Sequence, residues 1–252
     1  MKMFPRLLNF INAFSSKSRF KNYFFNKLYR LNYFFATYNF KKKTPLFKKD
    51  YLIDKIKFYD EEINQIYKDL KIKNYIFEEK SQIYDLYDYP KNYLSEVNYA
   101  WGFDRRYYAE LIKRKLDSRI KEIFNFKNYR IEHIWLYETP PNSSNTNSKF
   151  HVDNDEPGAR KCIIYISDVD GDSGPFCIYD KETNENIKII GKKGTTIFFN
   201  QNKCMHAGLQ TQNASRIVLS FCLYPSLRKN IVYQMNKPLN AHHTLNPFTR
   251  FS

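Results

Sequence analysis

Between residues 130 and 224 the chain offers six short apolar segments, at 130–137, 161–167, 176–179, 186–190, 195–200 and 216–224, with no helical stretch among them. Polar turns separate them: Asp170-Gly171-Asp172-Ser173-Gly174, Gly191-Lys192-Lys193-Gly194 and Gln212-Asn213-Ala214. Strands joined only by turns must pair antiparallel, because a parallel pair needs a crossover of a dozen or more residues. The expected core is therefore an antiparallel sandwich or barrel. Upstream of Phe126 the period differs. Leu52, Ile56, Ile63, Tyr67 and Leu70 recur at three-, four- and seven-residue steps, which predicts helix from Asp50 onward. Asp104 is placed to cap a second helix whose apolar side runs through Ile112, Leu116, Ile120 and Phe124. Glu110–Arg114 and Asp117–Lys121 would pair on its wet side, and 84–98 reads as a loop. Helices that all precede the strands make the class α+β, a jelly-roll core preceded by a helical N-terminal region. The organisation is an arm at 1–49, helical support at 50–126, a β core at 127–228 and a tail at 229–252.

Charge is concentrated in the arm. Residues 1–49 hold 12 of the 41 Lys/Arg and none of the 26 Asp/Glu, leaving 29 basic against 26 acidic groups, a net of +3, in the rest. Cations there alternate with aromatics, as in Arg19-Phe20-Lys21-Asn22-Tyr23-Phe24-Phe25. An aromatic face packed on the body is the first reading of such an arm. Peripheral contact with an anionic membrane is the second, and nucleic acid is the third. A cleaved transit peptide has the same composition, whereas a secretory signal does not fit, because Arg6 interrupts the apolar run. No stretch is long and apolar enough for a membrane span. The four cysteines, at 162, 177, 204 and 222, fall among strands without metal-ligand spacing. They read as packed thiols in a reducing compartment, hence a cytoplasmic location with the membrane surface as the peripheral alternative.

The candidate chemistry lies on the β segments. In His151-Val152-Asp153, residues two apart on an extended backbone point to the same face, so imidazole and carboxylate converge on one cation. His206 follows the 195–200 strand and offers a third ligand. Two His and one carboxylate with positions left open is the facial triad of non-haem Fe(II) oxygenases. Ten residues further on, Arg216 opens the last long strand. A guanidinium inside a barrel needs a carboxylate, which a dicarboxylate cosubstrate supplies bidentately.

On these residues the chain resembles the Fe(II)/2-oxoglutarate-dependent dioxygenases, in particular their phytanoyl-CoA-dioxygenase-like and prolyl-hydroxylase-like branches. The resemblance spans about 129–225. It rests on Phe150-His151-Val152-Asp153, on 163–169 leading to Ser173-Gly174-Pro175-Phe176, on Gly194-Thr195-Thr196-Ile197-Phe198-Phe199, on His206-Ala207-Gly208 and on Arg216. It implies a double-stranded β-helix, with His151, Asp153 and His206 on Fe(II) and Arg216 on the distal carboxylate of 2-oxoglutarate. Tyr137 is either a cosubstrate hydrogen-bond donor or a core aromatic. Ser220 substitutes for a serine that many relatives carry where this chain has Val218. Asp155 is expected to cap the following turn, His133 to be a packed strand histidine, and His242 and His243 to be tail residues or a metal-binding pair. Lys161 and Tyr165 remain unassigned. The implied reaction uses O2 and releases succinate and CO2, with hydroxylation as the default outcome. Halogenation is disfavoured, because Asp153 fills the place a halide would take. The substrate is a small molecule, a glycan, a lipid-type or carrier-bound compound, or else a peptidyl (prolyl-type) residue. Nucleic acid ranks last, because Cys222 stands where alkylation-repair relatives have a second arginine. A non-catalytic jelly-roll binding module is the reading from another class.

Overall fold

The structure, a computed structural model, describes residues 49–71, 98–99, 104–126, 128–143, 148–153, 155 and 158–226. The arm apart from Lys49, the 84–98 loop apart from Asn98, and the tail with His242 and His243 lie outside these residues. In chain order the elements are β1 (Tyr51–Lys55), α1 (Asp60–Lys71), β2 (Asn98–Tyr99), α2 (Arg105–Phe124), β3 (Tyr129–Thr139), β4 (Arg160–Tyr165), β5 (Phe176–Asp180), β6 (Glu185–Ile189), β7 (Thr195–Phe199), β8 (His206–Gly208) and β9 (Arg216–Pro225). The strands form two antiparallel sheets, β1-β7-β4-β9-β3-β2 and β6-β5-β8. The chain runs from β4 in the large sheet to β5 and β6 in the small one. It then returns through β7, crosses again at β8 and ends in β9, the winding of a jelly roll.

Both faces of the large sheet are covered, which explains why its central strands lack polar alternation. All ten residues of β9 are buried. A strand covered on both sides reads as a continuous apolar run. Along β4, Cys162 and Ile164 face one core, shared with Phe198, Leu219, Phe221 and the helices. Ile163 and Tyr165 face the other, between the two sheets, with Phe176, Ile178, Phe199 and Val218. The turn into β7 requires Gly194: its φ is +90°, and a Cβ there would lie 2.1 Å from the Ile56 carbonyl oxygen.

The two helices pack on the outer core. Asp104 caps α2, its side chain accepting from the Arg106 N–H at 2.9 Å, and Asn125 ends the helix in the left-handed region. Ile112, Leu116, Ile120 and Phe124 are all buried, as their spacing predicts. Asp117 and Lys121 pair at 2.7 Å, while Arg114 reaches across to Glu62 of α1 at 2.9 Å rather than to Glu110. Glu62 also accepts from the Tyr59 N–H at the start of α1, half of a capping box. No helix among the described residues is long and apolar enough to cross a membrane.

The expectation of helix from residue 50 onward is overturned at its beginning. Tyr51–Lys55 is β1, paired antiparallel with β7 in the register Leu52↔Phe198 and Asp54↔Thr196. A short apolar run satisfies either period, and here the open edge of β7 decides. Leu52 and Ile56 then meet the helical core from the sheet side.

A buried polar contact ties the helices together: the Tyr108 hydroxyl donates to Asp69 at 2.7 Å, both residues being buried. Tyr108→Phe would leave that carboxylate short of a donor. It should cost about 1–3 kcal/mol in urea unfolding, with an unchanged m-value.

Candidate metal centre

Three backbone contacts set the ligand positions. His151 and His206 bridge antiparallel, each N–H donating to the other's carbonyl at 3.0 and 2.9 Å, so residue 151 extends the free edge of β8. The Asp153 N–H donates to the Gln201 carbonyl at 2.9 Å. His151 and Asp153 thus keep the extended geometry that puts both side chains on the cavity side, beside His206. Their ligand atoms all lie within 4.8 Å of one another. His151 Nε2 is 3.5 Å from Asp153 Oδ1, and His206 Nε2 is 3.8 Å from Asp153 Oδ2. Each imidazole donates its Nδ1–H to a carbonyl, that of Lys149 at 2.8 Å and that of Cys204 at 2.9 Å. That tautomer leaves both Nε2 lone pairs for a cation. Two imidazoles and one carboxylate on one face fit a divalent transition metal with positions to spare.

The electrostatics favour the ligating forms of His206 and Asp153. Burial between Phe176 and Phe199, then the Lys161 ammonium, lower the His206 pKa to about 4. Burial raises that of Asp153, but the Lys161 charge and its 2.8 Å hydrogen bond to Oδ2 outweigh this and hold the carboxyl below its ordinary value. Burial likewise opposes the Lys161 charge, and Asp153 more than restores it. His206 makes the metal-free protein sensitive to acid. As pH falls from 6.5 to about 4, the unfolded chain takes up a proton at this imidazole while the folded chain does not, so stability is held above that window and lost through it. Chemical unfolding should show a loss on the order of 3 kcal/mol across it, at ~1.4 kcal/mol per pH unit, and the loss should shrink in His206→Gln.

Arg216 sits in the same cavity, 3% exposed. Its Nη1 is buried without a hydrogen-bond partner among the described residues, and no carboxylate there pairs with it. Its guanidinium lies against Gly208, where a Cβ would be 3.0 Å from Nη2. The absence of a side chain on β8 makes the room. Tyr137 and Val218 share the cavity wall. Tyr165 shares it too, but its hydroxyl is committed, donating to Ile189 O at 2.8 Å and accepting from the Phe176 N–H at 2.9 Å. Ser220 is buried opposite Trp135 and Ile163 and does not line the cavity, where Val218 stands instead. A dicarboxylate suits such a site: one unpaired buried guanidinium beside a potential metal position.

Several contributors were not legible in the sequence. Asp155 does not simply cap a turn. It accepts from Gln201 Nε2 at 2.6 Å and from the Tyr224 hydroxyl at 3.0 Å, and its backbone N–H and carbonyl pair with the Asn202 amide, both at 3.0 Å. The 200–204 turn thereby clamps the ligand segment 151–155. Lys161, unassigned from sequence, lines the cavity and touches Asp153. His133 is buried at a bulge in β3, in the left-handed region at φ 51°, with its ring 6.1 Å from that of Tyr224. The four cysteines are free and buried, as expected.

No family sequence profile matches the chain, and no curated protein is significantly similar to it in sequence. Solved structures are. The non-haem alpha-ketoglutarate-dependent carbocyclase SnoK from nogalamycin biosynthesis superposes with a TM-score of 0.54 at 10% identity, over 75% of this chain and 86% of that one. A prolyl hydroxylase in complex with a hypoxia-inducible-factor peptide fragment, from Trichoplax adhaerens, gives 0.50 at 13%, over 83% and 94%. At such identities the likeness shows the fold, and the chain therefore shares the jelly-roll fold of these two enzymes.

Proposed function

We propose that the protein is an Fe(II)- and 2-oxoglutarate-dependent oxygenase whose catalytic core is residues 127–228. The observation that carries this reading is a converged His-Asp-His set whose two histidines line the same cavity as a buried, unpaired guanidinium. His151, Asp153 and His206 hold the metal. Arg216 pairs with the distal carboxylate of 2-oxoglutarate, and Tyr137 offers it a hydroxyl. Phe176, Ile163 and Val218 exclude water around it, which strengthens each of these polar contacts. Ser220 has no direct part here, since Val218 occupies the wall. Bound Fe(II) with 2-oxoglutarate supplies the activation of O2 that leaves succinate and CO2 and oxidises a C–H bond.

The substrate reading is a small molecule. Support comes from the likeness to the carbocyclase, the stronger of the two by TM-score. Hydroxylation is the default outcome and does not rest on this likeness. A peptidyl substrate is the second reading. It is favoured by the prolyl hydroxylase, which matches over a larger share of both chains. Anaerobic titration of the Fe(II)-loaded protein with 2-oxoglutarate tests the shared core of both readings. A saturable visible charge-transfer band is expected, and its absence with Fe(II) demonstrably bound would refute the proposal.

Gly208→Ala gives a narrower check. The added methyl would lie 3.0 Å from Arg216 Nη2, so the guanidinium must give by a few tenths of an ångström and leave its present position. The 2-oxoglutarate Kd should rise on the order of tenfold while Fe(II) stoichiometry stays at one.

A further inference from the structure

Lys161 has no place in the ligand set or at the distal carboxylate, yet its ammonium ends inside the cavity. The alternation of β4 puts it on the inward face with Ile163 and Tyr165, at the rung where Cys222 and Phe199 flank it. A lysine directed into a largely apolar barrel is unfavourable unless a specific partner holds it. Its partner is Asp153. Among the described residues no other carboxylate lies within ion-pair distance of Lys161, and the 2.8 Å contact is to Oδ2 alone. Oδ1 accepts no hydrogen bond from those residues and faces His151 Nε2 at 3.5 Å, whereas Oδ2, 3.8 Å from His206 Nε2, is also held by the ammonium. The two oxygens of one candidate ligand therefore have different surroundings, one claimed and one available.

That difference bears on how many metal positions Asp153 fills. A carboxylate binds a cation through one oxygen or through both. Of six positions, three protein atoms leave three: two for the keto acid of 2-oxoglutarate and one for O2. A carboxylate bound through both oxygens would remove the last of these. Resting on the oxygenase reading above, we propose that Lys161 is a positioning residue that restricts Asp153 to one metal-binding oxygen, holding Oδ2 back and so keeping a position open for O2.

Nitric oxide, which binds Fe(II) where O2 would, reads that position without turnover. The experiment is an anaerobic nitric oxide titration of the full-length protein loaded with Fe(II) and 2-oxoglutarate, followed by electron paramagnetic resonance. Fe(II) and 2-oxoglutarate binding are measured in parallel. Lys161→Met should keep both ligands yet bind nitric oxide at least tenfold more weakly. Lys161→Arg, which retains a charged donor, should restore it. Lys161→Gln covers the case in which Met at this site fails to fold, and it should fall between Met and wild type, since an amide donor holds Oδ2 without the charge. Nitric oxide affinity at the wild-type level in Lys161→Gln and in any folded Lys161→Met would overturn the proposal. Failure of the wild-type protein to bind Fe(II) or 2-oxoglutarate is a different result and would overturn the oxygenase reading instead.

Discussion

Replacing Arg216 with leucine should weaken 2-oxoglutarate binding by roughly 2–5 kcal/mol, about 30-fold to several-thousand-fold in Kd, while Fe(II) still binds stoichiometrically. The size follows from the surroundings. Arg216 is 3% exposed, with its Nη1 buried and unmatched, so a carboxylate arriving there satisfies a nitrogen that water does not reach. Removing one partner of a desolvated charge pair strands the other, which is why the loss exceeds that of a surface pair. Leucine preserves bulk, so the change reads the charge rather than a cavity. Arg216→Lys should recover only part, because an ammonium lacks the planar fork. Calorimetric titration of the Fe(II)-loaded variants checks this, and an unchanged Kd in Arg216→Leu would assign the distal carboxylate to another residue.

His151→Ala should abolish stoichiometric Fe(II) binding and leave the fold intact. The predicted loss is above the about 10–100-fold that removal of an outer hydrogen-bond partner costs a metal site, because one of only three protein donors disappears. The fold should tolerate it for two reasons. The side chain of His151 is 31% exposed, and its contribution to the small sheet is made by backbone N–H and carbonyl, which alanine retains. His206 offers no such separation, being 3% exposed at the side chain and packed between two phenylalanines. Metal content after gel filtration, with thermal unfolding of the metal-free variant, checks both halves. Full metal content in His151→Ala would remove it from the ligand set.

How much of this was legible in advance depends on how local each signal is. The strands after residue 129 announced themselves, because turn chemistry punctuates them and both faces of the central ones are apolar. The convergence of His151, Asp153 and His206 was legible from the i,i+2 rule and a downstream histidine, and α2 from its cap and buried stripe. β1 was not, because five residues satisfy either period and only the unpaired edge of β7 settles the matter. Asp155 looked like a turn residue because its partners, Gln201 and Tyr224, lie 46 and 69 positions away. Lys161 was silent although its partner is only eight residues upstream, because nothing on β4 reveals that its inward face meets that carboxylate. Ser220 shares a strand face with Arg216, yet the residues that line the cavity there are Val218 and Ile163.

The bridge between residues 151 and 206 has a kinetic corollary. Two of the three donor residues are held to each other by reciprocal backbone hydrogen bonds at the edge of the three-stranded sheet, so a single fraying event there separates them and dismantles the coordination site in one step. Local opening of sheet edges lies at the low end of a protein's free-energy spectrum, and a ligand that binds only the closed form raises the cost of opening by its own binding energy. The amide protons of His151 and His206 should accordingly exchange with solvent at matched rates in the metal-free protein and slow together on metal loading, while those buried in β9 barely respond.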